Sequence, residues 1–164
     1  MYYKESNKMK KLIMVVLMVL FVFTSVASAR SKLNQIDRFE KNGKHYSVFA
    51  TEDMFPYKRA IIFSAEKSKN VMLAFSREGK ALKWSKDKDI KSYLMFGNKM
   101  YLVRITIKVV ELKNGNYSEN AKMLIPKAKA LPLADKENLV IRIGCCDMGS
   151  VPQNFKDALR EILE

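Results

Sequence analysis

Two kinds of side chain in this sequence carry chemistry beyond that of ordinary acids and amines. They are His45, the only histidine, and Cys145 and Cys146, the only cysteines. An imidazole that activates a nucleophile must reach a thiol or hydroxyl in space. A hydrolase would therefore have to use His45 with Cys145, Cys146 or a serine. No Gly-x-Ser-x-Gly elbow is present, and neither cysteine carries the flanking residues of a papain-like site. His45 also stands just after Asn42-Gly43, where a solvated or strand-edge imidazole is the expected state. No catalytic set is assigned from the sequence, and these three residues are the candidates for one.

The adjacent cysteines admit several fates. Neighbouring Cα atoms lie about 3.8 Å apart, below the usual disulfide range of about 4.4–6.8 Å. A bond between Cys145 and Cys146 would close a strained ring; the alternatives are a bridge to a second chain or two reduced thiols. Placed at the end of a strand, the two side chains would point to opposite faces, one buried and one exposed. Two thiolates could bind a soft metal or act as a redox pair, but two ligands are too few for a structural metal site. A single histidine rules out a multi-histidine metal centre. No cofactor is expected. The carboxylates form no spaced acid–base pair, and Asp135, Glu137 and Asp147 are expected to be solvated at strand ends. Asn116-Tyr117-Ser118 matches a glycosylation acceptor, and is taken as a chance match because the leader looks bacterial.

The charge balance is more informative. The chain has a formal net charge of +13 over 164 residues. Most of the excess is lysine, scattered and never gathered into a block. Lysine is a hydrated point charge, whereas arginine suits bidentate recognition of phosphate and carboxylate. A basic exterior keeps a protein soluble and also attracts polyanions, acidic headgroups or an oppositely charged protein. Without aromatic residues interleaved among the basic ones, nucleic acid is a disfavoured partner.

Where these residues act is set by residues 1–29. Lys8, Lys10 and Lys11 precede an apolar centre from Leu12 to about Val26, and Ala27-Ser28-Ala29 follows as a small-x-small site. That order is the pattern of a secretory signal, cleaved before Arg30. The apolar run falls short of the roughly 20 residues a spanning helix wants. Met9 serves as well as Met1 for the start. Cleavage would leave 135 of the 164 residues as one exported domain, residues 30–164, in the periplasm, the envelope or outside the cell. The leader takes Lys4, Lys8, Lys10 and Lys11 away with Glu5, so ten of the thirteen net positive charges remain. Membrane contact is then expected only through the leader, if it stays uncleaved.

The elements that position the candidates follow from periodicity. Asn42-Gly43 closes a hairpin between a strand ending near Glu40 and one over 46–51. Further strands are expected at 60–63, 71–75 and, after a turn at Glu78-Gly79, 81–84. Asp87 is expected to cap a helix that presents Ile90, Tyr93 and Leu94 and stops at Gly97. Residues 101–112 alternate cleanly, with Tyr101, Val103, Ile105, Ile107 and Val109 on one face. Asn114-Gly115 turns the chain back through 121–125; Pro126 and Pro132 bracket a loop, and 138–144 forms one more strand. Ser150 and Gln153 read as a capping box opening a helix whose stripe is Phe155, Ala158, Leu159, Ile162 and Leu163. Trp84, Phe55 and Tyr57 read as core. The architecture is α+β: an antiparallel sheet of about six to eight strands in hairpins and meanders, packed by a carboxy-terminal amphipathic helix. The expected role is a small non-enzymatic binding domain for an anionic envelope component or another envelope protein. An envelope hydrolase using His45 is the alternative.

Overall fold

The computed structural model describes residues 33–145 and 147–164. The leader and Cys146 lie outside the described residues. Asn42 and Gly43 both take positive φ, 54° and 68°, the left-handed pair that matches the twist of a two-residue hairpin. This turn joins β1 (Ile36–Lys41) to β2 (Lys44–Thr51). β3 (Arg59–Ala65) and β4 (Asn70–Gly79) continue the meander. β5 (Ser92–Phe96), β6 (Lys99–Val103), β7 (Ile105–Glu111) and β8 (Tyr117–Pro126) follow. After α1 (Lys127–Ala130) and a 3₁₀ turn (Leu131–Leu133) come β9 (Val140–Ile143), β10 (Asp147–Ser150) and α2 (Gln153–Leu163).

The strands form two antiparallel sheets, one ordered β1-β2-β3-β4-β8-β7 and one ordered β10-β9-β5-β6. The register places Phe49, Ile62, Leu73 and Met123 in one line across the inner face of the larger sheet. Leu94 and Ile141 oppose each other on the inner face of the smaller one. Both inner faces and Phe155, Ala158 and Leu159 of α2 join one continuous core. The architecture is therefore α+β, with the carboxy-terminal helix packed on antiparallel sheet; Phe155, Ala158 and Leu159 of its apolar stripe are buried, and Ile162 and Leu163 are half-buried.

Several local expectations are corrected. Residues 92–96 are a strand and not a helix. Ile90, Tyr93 and Leu94 have helical spacing, but pairing to β6 and β9 imposes period two, with Leu94 inward and Tyr93 outward. The alternating run 101–112 is two strands, not one: at Arg104 the chain leaves the smaller sheet and enters the larger. Val103, Ile105 and Ile107 pack against the core on either side of that hand-off, while Tyr101 and Val109 at the two ends are exposed. Residues 81–84 form no strand, and the segment between Pro126 and Pro132 is helical. Ser150 pairs with Val140 in β10, so it caps nothing; α2 starts after Pro152 without a side-chain cap. Phe55 is not core but 87% exposed, whereas Tyr57 and Trp84 are buried.

Candidate functional site

A loop that the sequence leaves without a motif organises the smaller sheet. Glu119 occupies an inward position of β8, in line with Ala121, Met123 and Ile125, and is fully buried. Its carboxylate is an anchor. It pairs with Arg77, and it accepts hydrogen bonds from the Lys83 N–H at 2.8 Å, the Ser85 N–H at 2.7 Å and the Ser85 hydroxyl at 2.8 Å. Burial pushes its pKa up, but the Ser85 and Lys83 amides, the Ser85 hydroxyl and Arg77 outweigh that and hold it at about 2. Glu119 is thus a fixed anion that clamps residues 83–85, and the clamp drives Trp84 into the core.

Trp84 and Lys83 then meet Asp147 at the start of β10. The indole N–H donates to Oδ2 at 2.6 Å, and the Lys83 ammonium donates to Oδ1 at 2.7 Å. Asp147, expected in solvent, is instead mostly buried beneath the smaller sheet. The Tyr57 hydroxyl bonds to the Ile141 carbonyl at 2.7 Å and the Asp147 carbonyl at 2.9 Å. Burial, and then the Asp147 charge, raise the Tyr57 pKa well above its ordinary value, against a backbone bond from Gly149. Gly149 has to lack a side chain: a Cβ there would stand 2.4 Å from Tyr57 Cε2. These contacts hold Asp147 inward, and the period of two along β10 then turns Met148 outward.

The outer face of the smaller sheet is what this anchoring presents. One line across all four strands runs Met148, Arg142, Tyr93, Leu102; the next runs Ser150, Val140, Met95, Met100. Leu102 is 64%, Met100 57% and Met148 52% exposed, and none of these face residues belongs to the core. Arg142 stands over the Tyr93 ring, 5.6 Å from its centroid, and donates through Nε to the Gly144 carbonyl at 3.0 Å. No carboxylate among the described residues pairs with it. The result is an apolar, methionine-rich patch around a preorganised guanidinium.

The larger sheet offers a weaker counterpart. Phe39, Tyr46 and Phe63 stack across three strands at 5.4 Å spacings on its outer face, but Val48, Ala50, Met72 and Ala74 are buried there. Little apolar surface at its centre is left for a partner.

His45 lies elsewhere. It faces Glu40 across the first hairpin, with Nδ1 3.9 Å from Oε2, too long for a hydrogen bond. Both line an open cleft of about 570 Å³ beside the end of α2, together with Ser47, Ser64, Glu66 and Lys127. Ser47 and Ser64 are opposite one another in the register. Cys145 is exposed on the turn between β9 and β10 of the smaller sheet and does not line the cleft, whereas His45 stands on β2 of the larger sheet. That turn, and not a strand, carries Cys145, so the opposite-faces argument for the cysteine pair does not apply. Among the described residues no group of three or more His, Cys, Asp or Glu side chains is placed to hold a metal ion.

Comparison of the chain with protein-family models, with curated proteins and with solved structures gives no match.

Sequence reasoning passed over Glu119, Arg142 and the patch. A signal for Glu119 existed: extending the alternation of 121–125 back by one step puts an acid in an inward position. For the patch none did. Tyr93, Met95, Met100 and Leu102 sit in strands whose two faces are equally apolar, and only pairing says which face is covered.

Proposed function

We propose that this protein is an exported, non-enzymatic binding domain for an anionic partner of the cell envelope or its surroundings. The observation that carries this reading is Arg142, a guanidinium fixed among exposed apolar side chains with no carboxylate among the described residues paired to it. A half-buried arginine in an apolar surround is best satisfied by an incoming phosphate or carboxylate. The chain's net charge of +13, of which ten would remain after removal of the leader, adds long-range attraction of the same sign. The test is binding of soluble polyphosphate at low ionic strength. Affinity should fall steeply as salt rises, and Arg142→Gln should weaken it. Absence of binding at low salt would defeat the charge argument.

A second reading rests on the cleft, where His45, Glu40, Ser47 and Ser64 come together. If it is an envelope hydrolase, a fluorophosphonate should label Ser47 or Ser64, and His45→Ala should abolish labelling. No labelling would remove it.

A further inference from the structure

We infer that the outer face of the smaller sheet docks on an acidic lipid bilayer, with Met100, Leu102 and Met148 entering the apolar boundary and Arg142 meeting a lipid phosphate. This deepens the anionic-partner reading and rests on it. It also extends membrane contact beyond the leader.

Three side chains each more than half exposed, on the two edge strands of one sheet, form an apolar surface that a monomer in water has reason to cover. The identity of the cover follows from charge. Two copies stacked face to face would bring two Arg142 groups into one dry seam, with no carboxylate of the described residues paired to either. A purely apolar partner would strip water from the same guanidinium and return nothing. An acidic bilayer supplies hydrocarbon and phosphate within a few ångströms of depth, the pairing that this face requires. Arg142 is already held over Tyr93 with its Nε satisfied, so its remaining donors are the ones left to meet a phosphate. Lys91, exposed just before β5 and on the same alternation as Tyr93 and Met95, adds positive charge at headgroup level. Methionine suits a fluid boundary because its unbranched side chain adapts to what it meets. Among the described residues no helix is long and apolar enough to cross a membrane.

The experiment is a peroxide footprint of Met100 and Met148, read by mass spectrometry on the full chain. Vesicles are phosphatidylcholine alone or with phosphatidylglycerol. An apolar leader could tether the chain to any vesicle, so the readout is protection of these two side chains and not sedimentation. Acidic vesicles should slow oxidation of both several-fold, and neutral vesicles should not. Leu102→Glu and Arg142→Gln, both at surface positions, should abolish protection, while Leu124→Glu on the larger sheet should leave it intact. Four outcomes overturn the inference: no protection by acidic vesicles, equal protection by neutral ones, protection that survives Arg142→Gln, or protection that appears without lipid as protein concentration rises. In the first case polyphosphate separates the two claims. If polyphosphate still binds in a salt-dependent way, the lipid assignment fails alone; if it does not, the anionic reading fails with it.

Discussion

Replacing Glu119 by glutamine keeps the shape of the side chain and removes the charge on which four donors converge. The magnitude follows from the carboxyl's displaced midpoint. An ordinary glutamate titrates near 4.5, and Glu119 is held at about 2. At 1.36 kcal/mol per pH unit this amounts to about 3 kcal/mol of native-state stability at neutral pH. Because the folded-state value lies below the unfolded one, the contribution is complete above about 4.5 and disappears as pH falls towards about 2. Urea unfolding of the wild type and Glu119→Gln, run at a series of pH values, measures it. The gap between the two should be about 3 kcal/mol at pH 7 and shrink through the acid window. Other carboxylates titrate there as well, but they do so in both proteins and cancel in the difference. Part of the neutral-pH gap is the cost of leaving Arg77 without its counter-charge, a cost that also relaxes once the wild-type carboxyl is protonated. A gap that is the same at pH 2 as at pH 7 would refute the view of Glu119 as a fixed anion.

The other predictions test the parts of the frame that hold the smaller sheet. Gly149→Ala should force the Tyr57 ring from its bonds to Ile141 and Asp147 and cost about 1–3 kcal/mol, visible as a lower thermal midpoint. Asp147→Asn should weaken the charge-assisted bonds to Trp84 and Lys83, costing about 2 kcal/mol in chemical unfolding. It should also raise acrylamide quenching of the only tryptophan, which is 1% exposed in the native fold. Gly43→Val, with nothing within 4 Å of the added Cβ, isolates backbone strain at φ 68° and should lower stability by about 1–2 kcal/mol in urea unfolding, without altering the sheets seen by circular dichroism.

The cases where local pattern and final structure part company share one cause. Ser150 has the spacing of a capping residue, yet a partner in β9 claims it for the sheet. Residues 90–94 have helical spacing, yet β9 lies about fifty residues further on and takes them as a strand. The alternating run 101–112 reads as one strand because parity survives the passage from one sheet to another; nothing local marks Arg104 as the hand-off. The Asn42-Gly43 hairpin and the Phe155, Ala158, Leu159 stripe need no distant partner to be recognised, and both are where their residues put them.

By itself the sequence determined the class of the fold, the Asn42-Gly43 and Asn114-Gly115 hairpin turns, the carboxy-terminal helix and the excess of positive charge, because these depend on neighbours within a few residues. Only tertiary structure decided that the strands divide into two sheets, that Glu119 and Asp147 are anchors, and that Met100, Leu102 and Met148 face outward around Arg142. The reason is that a strand with two apolar faces does not say which one will be covered. That choice is made by pairing between segments far apart in the chain, and by buried charges whose donors come from loops without a pattern of their own.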